Sequence, residues 1–270
     1  MKAYAKLNMY LRVLNKRDDG YHNLQMVNTK IDLYDIIDIS NSNDIDKVIY
    51  INDDSVDTSL DNLILKVLKK FKEKYNIPYT YIIKIEKNIP YGAGLGGVSM
   101  DIGRIIQYIC EKENIIISLD ELINFTKEYG ADIPYSFYDT PCIVEGIGEI
   151  ITPINIPKKE LILVIPNIYV STKDIFTSHH IYNKEETHEE ILKHIYNKEY
   201  VNDLQTTTTN INKELKELNN YLSSYGQSFM TGSGSCFVVD TTEDKEKVVE
   251  EITNRYPLYK VKIIKTKEGK

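Results

Sequence analysis

The stretch PYGAGLGGVSM, residues 90–100, holds four of the 13 glycines of this 270-residue chain within six positions. Glycine permits a positive φ and lets backbone N–H groups come close to a ligand. Apolar residues at helical spacing follow the glycines. The first turn of a helix offers unpaired N–H groups and the positive end of its dipole. Loop and helix together therefore predict an anion site, most often one for phosphate.

The same glycines fit other motifs, which have to be weighed. Residues 92–97 match GxGxxG, but in a dinucleotide-binding fold this motif directly follows a strand. Here residues 88–91 intervene, and the next helix leads into a second helix rather than a clear strand. A Walker A loop is excluded because Val98 stands where that motif requires lysine. A tight turn without a ligand is a further alternative, although four glycines exceed what a turn requires.

The composition bounds the class of protein. A hydrophobic fraction of 42% with 27% charged residues is typical of a soluble globular chain with one large or two modest domains. The net charge of −7 argues against nucleic acid as the main partner, because such a binding surface must be basic. Cys110, Cys142 and Cys236 fit neither a disulfide framework nor a zinc site. No apolar run has the length of a signal peptide or a membrane span, so we expect a cytoplasmic protein without a membrane partner. The oligomeric state stays open.

The first half of the chain mixes strand and helix patterns. Residues 3–13 alternate apolar and polar, which predicts a half-buried strand with one polar face. Ser118 and Glu121 form a capping box that starts a helix ending at Gly130. The other expected elements are strands at 24–32, 34–40, 79–87 and 142–152, helices at 61–75 and from about Ser99, and an exposed loop or weak hairpin at 43–58.

Pro153 and Pro157 bracket a short connector, where we place the boundary between a domain of residues 1–155 and one of residues 156–270. The pattern after it predicts strands at 161–165, 228–231, 236–239 and 259–265 and helices near 173–182, 188–196, 210–222 and 244–255. The expected fold class is α+β, and adjacent strand pairs favour largely antiparallel sheets.

Several motifs resemble those of one family. PYGAGLGGVS is similar to the P-x-x-x-G-L-G-[GS]-S loop of the GHMP kinases, which wraps the phosphates of ATP. One branch of that family phosphorylates the 2-hydroxyl of 4-diphosphocytidyl-2-C-methyl-D-erythritol in the non-mevalonate isoprenoid pathway. Its motifs are matched in order by AYAKLNMYLRV (3–13), DGYHNLQ (19–25), DNLILKV (61–67), GADIPYSF (130–137), EGIGE (145–149), NDL (202–204) and MTGSGSCF (230–237). The resemblance covers essentially the whole chain.

The resemblance implies a fold, a cofactor and a substrate. The fold would be α+β, with an N-terminal GHMP kinase domain that binds ATP and a C-terminal ferredoxin-like α/β sandwich. ATP and Mg²⁺ would serve the reaction, and the partner would be a small-molecule cytidine diphosphate derivative. The ATP-binding residues implied are Pro90, Tyr91, Gly92, Ala93, Gly94, Leu95, Gly96, Gly97, Val98, Ser99 and Met100.

Two residues are candidates for catalysis. Phosphoryl transfer to an alcohol needs a group that takes the hydroxyl proton and positive charge near the transferring phosphoryl. The resemblance implies that Asp132 is the base and that Lys6 is its electrostatic partner, with Asn8 orienting the same group. Without the resemblance, Asp132 is as well explained as a helix N-cap and Lys6 as a solvated lysine.

A second set of residues is implied to bind the cytosine base. In the family the residue corresponding to Tyr21 stacks on the base, and the one corresponding to His22 bonds to its edge. Phe176 would supply the other face of the stack. The alternatives are strand residues after a turn for the first two and a helix core residue for Phe176. We expect His179, His180, His188 and His194 to lie on the surface.

The chain departs from the family inside the glycine loop. Val98 replaces a glycine and Met100 replaces the second serine of the motif, so the magnesium ligands stay undefined, with Ser99 or phosphates and water as the candidates. Two other functions therefore remain open. The chain could be a kinase for another alcohol, such as homoserine or mevalonate, or a nucleotide-binding protein with weak catalysis.

Overall fold

A computed structural model describes residues 1–52, 59 and 62–267 of the chain. Its strands are β1 (Lys2–Lys16), β2 (His22–Ser42), β3 (Lys47–Tyr50), β4 (Thr80–Glu86), β5 (Cys142–Gly146), β6 (Ile150–Pro153), β7 (Glu160–Ile165), β8 (Val201–Asn202), β9 (Gln227–Met230), β10 (Phe237–Asp240) and β11 (Lys260–Lys265). Its helices are α1 (Leu63–Tyr75), α2 (Gly97–Lys112), α3 (Leu119–Thr126), α4 (Ile133–Ser136), α5 (Thr172–Ser178), α6 (His188–Tyr196), α7 (Asp203–Ile211), α8 (Lys213–Leu222) and α9 (Lys245–Arg255). None of the described helices is long and apolar enough to cross a lipid bilayer.

The chain forms two compact units, which interleave along the sequence. Apart from residues outside the described ranges, unit 1 comprises 1–5, 33–90 and 96–138, and unit 2 comprises 6–32, 91–95 and 139–270. The long strands β1 and β2 contribute residues to both units. The domain boundary expected between residues 155 and 156 stays a prediction.

Unit 1 is built on β4. This strand pairs antiparallel with the second half of β2 and parallel with β3. The apolar faces of α1 and α2 share one core with these strands, which contains Phe71, Tyr81 and Ile106. Helix α4 packs tightly on α2, since a Cβ at Gly103 would overlap the hydroxyl of Ser136. The small residue at position 103 thus sets the distance between the two helices.

Unit 2 contains a four-stranded antiparallel sheet in the order β11-β7-β10-β9. Central β7 is buried on both faces, with Leu161 through Val164 at 0% exposure. Strands β7, β9, β10 and β11 alternate with helices as βαββαβ, the order of a ferredoxin-like sandwich. In the same unit β1 lies between β2 and the short β8, and β2 also pairs with β5 of the β5–β6 hairpin. The mixed architecture expected from the sequence is confirmed.

Several local expectations were wrong. The strands expected at 24–32 and 34–40 are one strand, because β2 pairs with β5 at one end and with β4 at the other. Strand 142–152 is interrupted at Gly146, whose φ is +71°, and becomes the β5–β6 hairpin. Strand β3 lies inside the segment 43–58, which was expected to be an exposed loop or weak hairpin. Residues 53–58 of that segment lie outside the described residues. Residue 61, the first of the expected helix 61–75, lies outside them too.

The helix boundaries also differ. Helix α2 begins at Gly97 instead of Ser99, and α7 precedes the helix expected from residue 210. Helix α3 ends at Thr126 rather than at Gly130. The Ser118 hydroxyl caps α3 as expected, but the carboxylate of Glu121 accepts a hydrogen bond from the Tyr75 hydroxyl at 2.6 Å instead of closing a capping box.

Candidate functional site

Residues 91–95 of the glycine loop pack against a second glycine cluster, the stretch TGSGS at residues 231–235, within unit 2. Gly94 has a φ of +76°, and a Cβ there would overlap the carbonyl oxygen of Thr231. Gly232 has a φ of +56°, and its Cβ would lie 3.0 Å from the backbone of Gly94. These two glycines are therefore required for close approach of two backbones. The sequence pattern alone does not predict this structural role.

The second glycine cluster is itself held by side chains of unit 2. The amide of Asn202 donates to the carbonyl oxygens of Met230 at 2.6 Å and Gly232 at 2.8 Å. The hydroxyl of Thr208 donates to the carbonyl oxygen of Ser233 at 3.2 Å. The NDL and MTGSGSCF motifs thus meet in the fold. The sequence contained both motifs but gave no residue role for either.

The second half of the glycine loop starts helix α2, in unit 1. Gly96 occupies the N-cap with a φ of +67°, and no described side chain caps the helix there. The first-turn N–H groups are therefore open to an external acceptor, which is the usual geometry of an anion site. A Cβ at Gly97 would lie 3.2 Å from the Nζ of Lys87, so position 97 also has little room for a side chain.

The two departures from the family motif lie in the first turns of α2. Val98 packs with its half-buried side chain against the core of unit 1, and the side chain of Met100 is buried at 2% exposure. The buried side chain of Met100 is therefore not available to a ligand, and its backbone N–H donates to the carbonyl oxygen of Gly96 at 3.0 Å. The half-buried Ser99 places its hydroxyl 3.8 Å from the position of a Cβ at Gly130, beside the segment that leads to Asp132.

Asp132 occupies the N-cap position of α4, but its side chain does not cap that helix among the described residues. Its φ and ψ of −87° and −13° are helical rather than extended, which turns the side chain away from the usual capping geometry. The residue is half-buried. Simple N-capping therefore does not explain this aspartate.

Lys6 and Asn8 lie next to each other on β1 and are buried, with 3% and 2% exposure. The Nζ of Lys6 donates to the Oδ1 of Asn8 at 2.5 Å, and the amide of Asn8 donates to the Oδ1 of Asn28 at 2.6 Å. The backbone N–H of Asn8 donates to the Thr231 hydroxyl at 3.1 Å. The alternative of a solvated lysine, and the half-buried strand with one polar face, were therefore wrong. Polar partners cover the polar face of β1.

The residues expected to bind a base are partly assembled in unit 2. The rings of His22 and Phe176 lie 5.2 Å apart between centroids, and Tyr182 stacks on His22 at 6.1 Å. His22 is 8% exposed, and its Nε2 has no hydrogen-bond partner among the described residues. Burial lowers the pKa of His22 below its usual range, and nearby Lys16 adds to the effect. Tyr21 is 57% exposed and free to meet a ligand from solvent.

The other histidines do not all lie on the surface. His179 is 1% exposed, because its ring packs against Tyr182 and its Nδ1 hydrogen-bonds the Thr207 hydroxyl at 2.9 Å. His188 pairs with Glu145 at 2.9 Å, and His194 lies 3.0 Å from two glutamates. The sequence could not show these pairs because their partners are brought together by tertiary folding. Within the described ranges no group of three or more His, Cys, Asp or Glu residues could hold a metal ion.

Comparisons with known proteins agree with this arrangement. The family described as GHMP kinases N terminal domain matches residues 62–145, and GHMP kinases C terminal matches residues 183–258. A protein of Francisella tularensis subsp. holarctica named 4-diphosphocytidyl-2-C-methyl-D-erythritol kinase is 35% identical over 257 residues, 94% of this chain and 90% of that protein. A Clostridium perfringens protein of the same name is 40% identical over 179 residues, 66% of this chain. That alignment spans 62% of the Clostridium protein's length.

Solved structures show the same fold. A crystal structure of 4-(cytidine 5′-diphospho)-2C-methyl-D-erythritol kinase superposes with a TM-score of 0.82 at 22% identity, covering 100% of this chain and 99% of that one. The mevalonate kinase of Methanococcus jannaschii gives a TM-score of 0.68 at 17% identity, covering 98% and 97%. The chain belongs to the GHMP kinase family.

Proposed function

We propose that this chain is an ATP-dependent kinase that phosphorylates the 2-hydroxyl of 4-diphosphocytidyl-2-C-methyl-D-erythritol. The observation that carries the proposal is the 35% identity to the Francisella kinase of that name over 94% of the chain. Membership of the GHMP kinase family implies the use of ATP. The His22–Phe176 pair supports a cytidine-bearing substrate, because aromatic and imidazole groups suit a pyrimidine base.

The ATP phosphates would be held by the glycine loop, residues 90–100, and by the open N–H groups of the first turn of α2. This donor set fits a triphosphate, since backbone N–H groups and a helix dipole favour negative charge. Mg²⁺ usually keeps several waters and binds phosphate oxygens. It would need few protein ligands here, and the Ser99 hydroxyl is the side-chain oxygen of the first turn available to it.

Asp132 and Lys6 would have separate roles in the transfer of the phosphoryl group. The acceptor oxygen forms a bond to the γ-phosphorus, the bond to the bridging oxygen breaks, and ADP leaves. The hydroxyl proton passes to the carboxylate of Asp132. The ammonium of Lys6, oriented by Asn8, would balance the negative charge that develops during the transfer.

Specificity for the cytidine group would come from Tyr21, His22 and Phe176. Tyr21 and Phe176 offer aromatic faces for stacking, and the Nε2 of His22 offers a hydrogen-bonding atom that has no described partner. Because its pKa is lowered, His22 is neutral at pH 7 and presents one donor and one acceptor nitrogen. A neutral imidazole can read a base edge without adding a buried charge.

The experiment is a single-turnover assay with ATP, Mg²⁺ and the cytidylated substrate. Asp132→Asn should lower turnover by about two or more orders of magnitude while ATP affinity stays within about threefold. Asp120→Asn is the matched control, because Asp120 lies exposed in the same unit at the start of α3. ATP turnover at the normal rate in Asp132→Asn would remove this residue from the base role. Absence of substrate phosphorylation by the unmodified protein would overturn the proposed activity.

A further inference from the structure

Strands β1 and β2 are neighbours in the sheet, and their residues 6–32, which belong to unit 2, carry three buried polar side chains that are linked in a row. The Nζ of Lys6 donates to the Oδ1 of Asn8 at 2.5 Å, and the Nδ2 of Asn8 donates to the Oδ1 of Asn28 at 2.6 Å. The exposed fractions of Lys6, Asn8 and Asn28 are 3%, 2% and 0%. We call these three residues the amide relay.

The ammonium of Lys6 sets the direction of the hydrogen bonds in the amide relay. A lysine side chain is only a donor, so the oxygen of Asn8 must face it and the amide nitrogen of Asn8 must face away. That nitrogen needs acceptors, which are the Oδ1 of Asn28 at 2.6 Å and the sulfur of Met26 at 3.5 Å. Because its oxygen faces Asn8, Asn28 turns its own amide nitrogen away from the relay.

The amide relay ends at a buried donor. The Nδ2 of Asn28 is buried and has no hydrogen-bond partner among the described residues. A buried donor without a partner destabilises the folded state, and such groups are uncommon in native proteins. A leucine of similar size would avoid this cost. Stability therefore does not explain the asparagine, whereas the acceptor that it supplies to Asn8 does.

The side-chain amide of Asn8 depends on Asn28 more than its main chain does. The backbone N–H of Asn8 is held separately, by the Thr231 hydroxyl at 3.1 Å. For the side-chain nitrogen the described partners are Asn28 and the sulfur of Met26, and a thioether is a weak acceptor. Asn28 is thus the main restraint on rotation of the amide that accepts the Lys6 ammonium.

We propose that Asn28 is a positioning residue for phosphoryl transfer, which acts through the amide of Asn8 to hold the ammonium of Lys6 where negative charge develops. This inference rests on the proposed function, because it requires Lys6 to act on the transferring phosphoryl group. Displacement of a catalytic group by about 1 Å can lower a rate on the order of a hundredfold. An ammonium held by a fixed amide is therefore more effective than one held by an amide that rotates.

The test is steady-state kinetics of Asn28→Leu, which has a similar shape and no acceptor. This change removes one buried amide nitrogen without a described partner and leaves the Nδ2 of Asn8 with the sulfur of Met26, so its two effects on stability oppose each other. The urea midpoint should move by less than about 0.5 M. We expect kcat for the cytidylated substrate to fall by about tenfold or more, with the KM values for ATP and substrate within about threefold.

Two variants serve as controls. Asn28→Asp keeps an acceptor oxygen for Asn8 and should have a kcat within about threefold of the unmodified protein. Thr29→Val changes the next residue of β2, which is also 0% exposed and points to the opposite face of the strand. The Thr29 hydroxyl donates to the neighbouring Lys30 carbonyl at 3.4 Å, and its loss should leave kcat unchanged. If the leucine variant does not fold, Asn28→Met replaces it, because methionine adapts to irregular space.

A double-mutant cycle tests whether Asn28 acts through Asn8. Asn8→Ala removes the amide that joins Asn28 to Lys6, so it should lower kcat at least as much as Asn28→Leu does. Asn28→Leu added to Asn8→Ala should lower kcat no further, because residues that act as a unit are not additive. Multiplication of the two effects would overturn the inference.

Other outcomes would also overturn it. One is a kcat of Asn28→Leu within about threefold of the unmodified protein, which would leave the proposed kinase activity intact. Another is a kcat of Asn28→Asp as low as that of Asn28→Leu. A raised KM for the cytidylated substrate at unchanged kcat would make Asn28 a substrate-binding residue instead. Absence of phosphorylation by the unmodified protein would overturn the proposed function and this inference together.

Discussion

The hydroxyl of Thr231 joins strand β1 to the glycine loop inside unit 2. It accepts the backbone N–H of Asn8 at 3.1 Å and donates to the carbonyl oxygen of Gly94 at 3.2 Å. Thr231 is 0% exposed, so water cannot replace the hydroxyl without a cavity. Thr231→Val keeps the size of the side chain but leaves the buried Asn8 N–H without its acceptor. Thr231→Val should therefore lower the free energy of unfolding by about 1–3 kcal/mol, the cost of one unsatisfied buried N–H group. The carbonyl of the half-buried Gly94 adds little to this cost, because water can reach it.

The assay is urea unfolding, with the midpoint and the slope fitted for each variant. Thr209→Val is the matched control, because among the described residues the Thr209 hydroxyl donates only to carbonyl oxygens of its own helix, Gln205 at 2.8 Å and Thr206 at 3.3 Å. That change leaves no backbone N–H without an acceptor and should cost below about 1 kcal/mol. Equal stability of the two variants would refute the conclusion that this hydroxyl satisfies a buried N–H at the loop.

Three further predictions concern packing, charge and ligand binding. Gly103→Ala forces a Cβ onto the Ser136 hydroxyl and should lower the free energy of unfolding by about 1–3 kcal/mol; an unchanged urea midpoint would show that α2 and α4 can separate freely. Burial raises the pKa of Asp101 to about 8 in the folded protein. Between about pH 4 and 8 the carboxyl group is therefore protonated in the folded protein and ionised in the unfolded chain. Stability should therefore fall with rising pH by at least about 2 kcal/mol relative to Asp101→Asn and level off above pH 8, whereas parallel pH curves would contradict the shift. Cytidine diphosphate should raise the melting temperature of the unmodified protein but not of Phe176→Ala, while ATP should stabilise both; equal protection by cytidine diphosphate would remove Phe176 from the site.

The sequence predicted most elements of the fold because their patterns are local. The periodicity of α1 and the strand character of β7 place apolar side chains on faces that the structure buries. The errors arose where tertiary pairing decides. Strand β2 continues through Leu33, where the sequence pattern predicted a break, because its two ends pair with different strands. Helix α7, whose sequence DLQTTTTNI is rich in threonine, lacks a strong helical preference of its own.

In the site, too, the features set by local sequence were predicted and those set by tertiary contacts were not. The glycine loop and the uncapped start of α2 follow from sequence, because the glycines themselves permit the backbone. The burial of Lys6 could not be predicted, because it depends on which residues cover the polar face of β1. The contact of Gly94 with Thr231 could not be predicted either, because the two residues lie 137 positions apart. The buried contacts of Lys87 with Asp35 and Asp101 were missed for the same reason. Lys87 and Asp101 flank the loop in sequence, yet only the fold brings Asp35 to them.

Phosphorylation of one particular alcohol is the activity proposed for this chain. The most direct measurement incubates the protein with ATP, Mg²⁺ and an equimolar mixture of 4-diphosphocytidyl-2-C-methyl-D-erythritol, mevalonate and homoserine, and identifies phosphorylated products by mass spectrometry. We expect ADP to form one-to-one with the 2-phosphate of the cytidylated substrate and the other two alcohols to stay unmodified. Phosphorylation of mevalonate or homoserine instead, or ATP binding with no phosphorylated product, would contradict it.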